Sequence, residues 1–216
     1  MVFRDRRDAG KRLAERLGHY RDREGVLVLG LPRGGVTVAD EVARELHLPL
    51  DILIVRKIGF PTNPELAIGA VSETGAVVLN DDIIAGYGVK QEYLERETAR
   101  QKEEIERRKV LYRGGKGIPE LSGKTVILVD DGVATGATVK AAIATLHKEK
   151  LARLVVALPV ASPEAEREIA RQVDELVCLH APSGFMAVGG YYQDFRQVED
   201  AEVVEMLKES RGGNNG

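Results

Sequence analysis

The chain has 216 residues, a net charge of −3 at neutral pH and a hydrophobic content of 44%. This length can bury the core of one α/β domain, and the interspersed acidic and basic residues argue against a nucleic-acid-binding surface. No apolar run approaches a membrane span, no signal peptide follows Met1 and the single cysteine cannot form a disulfide within the chain, so we expect a cytoplasmic protein.

Helix-like and strand-like segments alternate in the N-terminal half. An amphipathic helix is predicted over residues 5–20, because Ala9, Leu13 and Leu17 recur on one face. The following segments are a strand at 26–29, a helix at 36–47, a strand at 51–55 and a hairpin that joins 67–71 to 76–79. Residues 58–65 contain two prolines and no periodicity, so we expect an irregular segment there.

The C-terminal half continues the alternation. A long charged helix is predicted over residues 89–112, and a break rich in glycine follows it. Strands are predicted at 126–129, 154–158 and 176–180, with helices at 139–149 and 163–172. The order of elements predicts a doubly wound, mostly parallel sheet flanked by helices. We expect a single domain over residues 1–210, a buried thiol at Cys178 and a disordered tail over 211–216.

The strand predicted at 126–129 ends in two adjacent acids, Asp130 and Asp131. Because this strand has no polar alternation, we expect it to be buried on both faces, with a ligand at its carboxyl end. The acids suit vicinal hydroxyls or a divalent cation. The loop of small residues and the helix start after them suit a phosphate, so the segment predicts a ribose 5-phosphate site. Its residues are Asp130, Asp131, Gly132, Val133, Ala134, Thr135, Gly136, Ala137 and Thr138.

In length, order and chemistry this segment resembles the signature of type I phosphoribosyltransferases, which bind 5-phosphoribosyl 1-diphosphate (PRPP). The resemblance implies that Asp130 and Asp131 face the ribose hydroxyls and contact Mg²⁺ directly or through water. It also implies that residues 134–138 surround the 5-phosphate. A buried strand that ends in acids and a Gly-rich turn also occurs in response-regulator and Rossmann-like domains, but here both acids and the whole loop match at once.

A second loop of small residues contains Arg33, Gly34 and Gly35 and opens into a predicted helix. Glycines allow the backbone to approach a ligand closely, and the Arg33 guanidinium suits a diphosphate. By the resemblance, residues 31–35 hold the pyrophosphate of PRPP, while Arg56 and Lys57 open the mobile loop of the family as cations for the leaving group. As a lone pair of charges, Arg56 and Lys57 would be interpreted as a solvated basic pair, but here they precede the irregular segment 58–65.

Residues 181–196 concentrate aromatic side chains in a chain that has few of them. Packing on the core and stacking on a planar base both fit such a cluster. The segment resembles the hood of 6-oxopurine phosphoribosyltransferases, which implies a base-binding hood at about 181–200 with Phe185, Val188 and Asp194 as contacts. Those enzymes carry an acid just before the Thr-Gly of the phosphate loop, where this chain has Ala134, so the identity of the base stays open.

The sequence therefore predicts a Mg²⁺-dependent enzyme that transfers ribose 5-phosphate from PRPP to a nitrogenous base and releases diphosphate. Asp130, Asp131, Arg33 and Lys57 are the predicted catalytic residues, and homodimers are usual in the family. The alternative is a PRPP-sensing regulator without turnover, against which we note that no DNA-binding appendage or basic surface pattern is visible. A nucleoside-monophosphate-binding module of unrelated function is a third hypothesis.

Overall fold

The structure is a computed structural model that describes residues 2–212. Its strands are β1 (Val26–Gly30), β2 (Leu50–Ile52), β3 (Val55–Phe60), β4 (Asn63–Ser72), β5 (Val77–Leu79), β6 (Thr125–Val129), β7 (Arg153–Leu158) and β8 (Glu175–Cys178). Its α-helices are α1 (Arg6–Arg16), α2 (Gly34–Leu46), α3 (Asp81–Gly86), α4 (Gln91–Arg113), α5 (Ala137–Leu146), α6 (Pro163–Ala170) and α7 (Asp200–Gly212). The chain forms two compact units, of which the first comprises the described parts of Met1–Ile52, Glu120–Gly136 and Lys150–Gly216, and the second comprises Leu53–Pro119 and Ala137–Glu149.

A five-stranded parallel sheet forms the centre of the first unit, in the order β2-β1-β6-β7-β8. Helix α2 packs on β1 and on α1, and α6 packs on β8. The side chains from Val126 to Val129 are fully buried, because β6 has a strand on each edge and apolar layers on its faces. The predicted α/β fold, with a parallel sheet flanked by helices, is confirmed.

The loops after β1 and β6 leave this sheet side by side. Gly30 is paired with Val129 in the parallel ladder, and the Leu31 N–H donates to the Val129 carbonyl over 3.0 Å. Since the two neighbouring strands end at the same level, the residues after Gly30 and after Val129 begin at adjacent points on the carboxyl edge of the sheet. This edge is where ligands bind in open α/β folds.

The second unit contains an antiparallel sheet in the order β3-β4-β5, and α4 and α5 pack against it. The predicted hairpin between residues 67–71 and 76–79 is confirmed by the pairing of β4 with β5. The expectation of irregular structure over residues 58–65 is wrong, because β3 and β4 form a second hairpin there. Register shifts around Gly59 interrupt the alternation of side chains, and Pro64 lies at the start of β4, where a missing N–H is tolerated.

Several element boundaries differ from the prediction. The strand expected at 51–55 is divided, because β2 ends at Ile52 and β3 begins at Val55 in another sheet. Helices α3 and α7 were not predicted; α3 is short, and its start is capped by the Asn80 side chain, which accepts from the Ile83 N–H. Helix α7 includes Arg211 and Gly212, where the tail was expected to begin, and residues 213–216 lie outside the described residues.

Cys178 lies at the end of β8 and is partly buried. Burial raises the pKa of its thiol to about 11, so the thiol stays protonated at neutral pH, which agrees with a packing role and not with a nucleophile. Within residues 2–212, every helix is either too short or too polar to cross a membrane.

Candidate functional site

Asp130 and Asp131 follow directly after β6 and are held against the turn that begins α2. The Asp131 N–H donates to Asp130 Oδ1 over 2.9 Å, which fixes the first carboxylate relative to the backbone of the second. Both side chains are partly shielded from solvent. The pair of acids that the sequence predicted to face a ribose therefore lies at the carboxyl edge of the parallel sheet.

Gly34 and Gly35 are in direct contact with these acids. A Cβ added at Gly35 would lie 2.8 Å from both Asp130 Cα and Asp130 Oδ1, and one added at Gly34 would overlap Asp131 Oδ2. A side chain at Gly35 would displace the acid-bearing backbone, and one at Gly34 would push the Asp131 carboxylate aside, so glycine is the residue that fits at both positions. The loop after β1 and the acids after β6, which the sequence predicted separately, form one continuous surface.

Burial disfavours the ionised forms of the two carboxyls. Burial raises the pKa of Asp130 well above its usual range, and the charge of Asp131 raises it further. Burial also raises the pKa of Asp131, although the neighbouring Arg6 guanidinium opposes that shift. Groups that supply hydrogen-bond donors or positive charge, such as ribose hydroxyls or a cation, would favour the ionised forms.

Arg6 and Tyr192 contact Asp131 and were missed by the sequence analysis. Arg6 Nε donates to Asp131 Oδ2 over 2.8 Å, and the Tyr192 hydroxyl donates to the Asp131 backbone carbonyl over 2.5 Å. One signal could have identified Arg6: it precedes Ala9 and Leu13 by three and seven residues on α1, and it therefore carries a charge on the buried face. A buried charge requires a partner of opposite sign. Tyr192 offered no comparable signal.

The predicted phosphate loop continues from Gly132 to the start of α5 at Ala137. Val133 is buried, and its N–H donates to the Val160 carbonyl over 2.9 Å, which anchors the loop beside β7. Ala134 and Thr135 are exposed, and the Ser162 hydroxyl donates to the Ala134 carbonyl over 2.7 Å. Gly136 has a φ of +76°, a conformation that side chains rarely adopt. Thr138 is exposed in the first turn of α5, where backbone N–H groups have no helical acceptor.

The predicted basic residues lie in different units. Arg33 immediately precedes α2, after a cis peptide bond between Pro32 and Arg33, and its NH1 atom lies 3.8 Å from Glu199 Oε2. Arg56 and Lys57 lie on β3 in the second unit. Arg56 Nε donates to Gln101 Oε1 of α4 over 2.9 Å, and burial, followed by the Arg108 charge, lowers its pKa. The roles of Arg56 and Lys57 in leaving-group binding stay predictions.

The hood segment packs on Phe3 near the start of the chain through the ring of Tyr192, with centroids 5.4 Å apart. Phe185 stacks on Tyr191 with centroids 5.5 Å apart. Val188 lies over the acid-bearing turn, because a Cβ added at Gly132 would be 2.5 Å from Val188 Cγ1. Asp194 is exposed, and its Oδ1 accepts from the Arg196 N–H over 3.1 Å. The structure thus brings Val188 against Gly132, the residue that follows the acids, and base binding by Phe185, Val188 and Asp194 stays a prediction.

The acidic side chains at this site limit how a metal ion could be bound. Among the described residues, no group of three or more His, Cys, Asp or Glu side chains is arranged for metal binding. Mg²⁺ commonly binds through one or two carboxylates while substrate phosphates and water supply its other ligands. The adjacent carboxylates of Asp130 and Asp131 fit that mode, in which the substrate brings most of the ligands.

Comparison with known proteins places these features in a family. A family model described as a phosphoribosyl transferase domain matches residues 5–195. A protein of Mycobacterium tuberculosis H37Rv, named "Putative phosphoribosyl transferase Rv0571c", is 44% identical over 206 residues, which are 95% of this chain and 46% of that protein. The chain thus spans about half the length of the curated relatives it matches.

Two solved structures are similar to this fold. The crystal structure of TT1426 from Thermus thermophilus has a TM-score of 0.87 and 49% identity, and the match covers 97% of this chain and 99% of that one. A hypothetical protein from Neisseria gonorrhoeae with bound ppGpp has a TM-score of 0.52 and 15% identity, over 98% of this chain and 96% of that chain. The second similarity shows a shared fold alone.

Proposed function

The chain belongs to the phosphoribosyl transferase family, and from this membership we propose that it transfers ribose 5-phosphate from PRPP to a nitrogenous base in a Mg²⁺-dependent reaction. One observation carries the proposal: the acids Asp130 and Asp131 are packed directly on Gly34 and Gly35. Hydroxyl acceptors and a backbone loop suited to a diphosphate are therefore adjacent, as the two halves of PRPP require. The acceptor base is left open.

The proposed donor site divides PRPP among three parts of the first unit. The carboxylates of Asp130 and Asp131 accept hydrogen bonds from the ribose 2- and 3-hydroxyls. The loop from Gly132 to Gly136 follows the 5-phosphate with small side chains and backbone N–H groups. Arg33 and the first N–H groups of α2 bind the diphosphate, since the start of a helix and a guanidinium both favour anions.

In the proposed reaction, the bond between the anomeric carbon and the diphosphate oxygen breaks as a bond from a base nitrogen forms. The proton of the base nitrogen passes to solvent, and diphosphate departs with the electron pair. Asp130 and Asp131 fix the ribose and place negative charge beside its cation-like transition state, while Arg33 stabilises charge on the departing group. Bound Mg²⁺ would supply further neutralisation of the diphosphate charge. The family resemblance implies two further roles, which we include in the proposal. Arg56 and Lys57 would be cations for the leaving group, and Ala137 and Thr138 would complete the loop around the 5-phosphate.

A direct assay tests this function. The full chain is incubated with PRPP and Mg²⁺, each purine and pyrimidine base is added in turn, and diphosphate release is measured. Release that depends on one base supports the enzyme. PRPP binding with no release from any base would instead support a PRPP-sensing regulator, and absence of PRPP binding would contradict both. A size measurement in solution tests the expected homodimer.

A further inference from the structure

Arg6 is held in a fixed position beside the second acid. Its side chain is 10% exposed and that of Asp131 is 16% exposed, and the Arg6 Nε atom lies 2.8 Å from Asp131 Oδ2. Arg6 NH1 donates to the Arg196 backbone carbonyl over 2.8 Å. The guanidinium carbon lies 3.9 Å from the centroid of the Phe195 ring, a distance suited to a cation–π contact. Three separate contacts thus define one orientation of the guanidinium.

Two of these contacts come from the segment that the sequence analysis assigned to the base. Phe195 and Arg196 hold Arg6, and Tyr192 donates to the Asp131 carbonyl. Tyr192 is 6% exposed and lies between the rings of Phe3 and Phe195, with centroids 5.4 and 4.9 Å away. Asp131 is therefore fixed through both its carboxylate and its backbone by residues 192–196 and the start of α1.

We propose that Arg6 is a positioning residue for Asp131, and that residues 192–196 serve the PRPP side of the reaction by holding Arg6 and the Asp131 backbone. The inference rests on the proposed function. Arg6 anchors Oδ2 of the carboxylate, and the carboxylate plane is thereby set so that Oδ1 can accept from a ribose hydroxyl. Such support of a substrate-binding group by a neighbouring hydrogen bond commonly determines how well the group is preorganised.

A short acidic side chain has several rotamers, and a ligand that accepts one of them must exclude the others. An ion pair between groups that are both shielded from water is far less screened than a surface pair. The planar Arg6 guanidinium fixes direction as well as charge. Without Arg6, the Asp131 side chain would lose its conformational freedom only when PRPP binds. That loss of entropy would weaken the binding of PRPP.

The test measures Mg²⁺–PRPP affinity by calorimetry for the wild-type chain, Arg6→Met, Arg6→Lys and Arg12→Met, with a melting temperature for each. Arg6→Met keeps an unbranched apolar stem but removes the donor, and it is expected to weaken binding by about tenfold to 100-fold, as for the loss of a hydrogen bond between charged groups. Arg6→Lys is expected to recover part of that loss. Arg12 is the matched control, because it also lies on α1, pairs with an aspartate, Asp8, and lies over a ring, that of Phe3.

A double-mutant cycle separates positioning from general stability. If Arg6 acts through Asp131, adding Arg6→Met to Asp131→Asn weakens PRPP binding by much less than it does in the wild-type chain. Wild-type affinity in Arg6→Met, or an equal loss in Arg12→Met, would overturn the inference and leave the proposed function standing. If Arg6→Met does not fold, Arg6→Lys replaces it in the cycle with Asp131→Asn. Wild-type affinity in a folded Arg6→Lys, or a weakening by Arg6→Lys that is as large in Asp131→Asn as in the wild-type chain, counts against positioning. A wild-type chain that does not bind PRPP would overturn the proposed function itself, and with it this inference.

Discussion

At the residue scale, Asp130 and Asp131 are held in a position that costs stability. The pKa of each is raised, chiefly by burial, and each would be more stable in water. Natural binding sites often retain groups that lower the stability of the fold because function requires them. Two neighbouring, partly buried carboxyls are therefore characteristic of a ligand-binding site.

We predict that Asp130→Asn raises the melting temperature of the metal-free protein near pH 7. Because burial raises the folded pKa of Asp130 well above its unfolded value of about 3.9, the carboxyl destabilises the fold increasingly as the pH rises from about 4 to the folded pKa, and by a constant amount at higher pH. The Asn amide oxygen can still accept from the Asp131 N–H. For a chain of this length, each increase of about 1 kcal/mol in the free energy of unfolding raises the melting temperature by about 2–4 °C.

The pH dependence supplies the check on that prediction. As the pH falls through the folded pKa toward about 4, the wild-type carboxyl takes up its proton and the stability difference should shrink. Thermal unfolding of both proteins in the presence of a chelator measures this directly. A variant that is less stable near neutral pH, or a difference that does not change with pH, would show that burial of Asp130 is not costly.

We predict that Gly35→Ala destabilises the fold because the new side chain displaces the backbone of Asp130 and Val129. The new Cβ would lie 2.8 Å from Asp130 Cα and 2.9 Å from the Val129 carbonyl, and overpacking of this kind costs about 1–3 kcal/mol. The free energy of unfolding from urea titration measures the cost. Gly18→Ala is the control, because no atom lies within 4 Å of its added Cβ. Equal stability of the two variants would mean that the close approach is absent in solution.

At the scale of secondary-structure elements, the sequence predicted what hydrophobic runs and turns determine locally. Strands β1, β6, β7 and β8 were predicted because buried parallel strands are continuous apolar runs. Strand β3 was not predicted over its full length, because register shifts around Gly59 interrupt the two-residue alternation from which a strand is recognised. Helix α7 was missed although Val203, Met206 and Leu207 are buried at helical spacing, because this apolar stripe is short and polar residues surround it.

The β3–β4 hairpin leads to a third prediction: Gly59→Ala destabilises the second unit. A Cβ at Gly59 would lie 2.7 Å from the Pro64 carbonyl oxygen and 2.8 Å from Pro64 Cα, so the paired strands would have to separate. We expect a loss of about 1–3 kcal/mol in the free energy of unfolding. Gly86→Ala, at the end of α3, has open space around the new Cβ and should be close to neutral. A neutral Gly59→Ala would argue against this hairpin register.

At the scale of the whole molecule, the sequence predicted the parts of the site that lie close together along the chain. It did not predict contacts between residues that are far apart in sequence. The loop at Arg33 and the acids at Asp130 were predictable, because each follows a recognisable strand. Their contact required the parallel pairing of β1 with β6, which the alternation of elements suggested but did not specify. Arg6 reaches Asp131 across 125 residues of chain, and no local pattern encodes such a contact.

Calorimetry of PRPP binding in the presence of Mg²⁺ decides whether Asp130 and Asp131 bind the ribose of PRPP. We expect saturable binding to the wild-type chain and a loss of about tenfold or more in affinity for Asp130→Asn and for Asp131→Asn, since each removes a charged hydrogen-bond acceptor. Thermal unfolding must show that both variants are folded. Unchanged affinity in both variants, or no binding to the wild-type chain, would rule out ribose binding by these two acids.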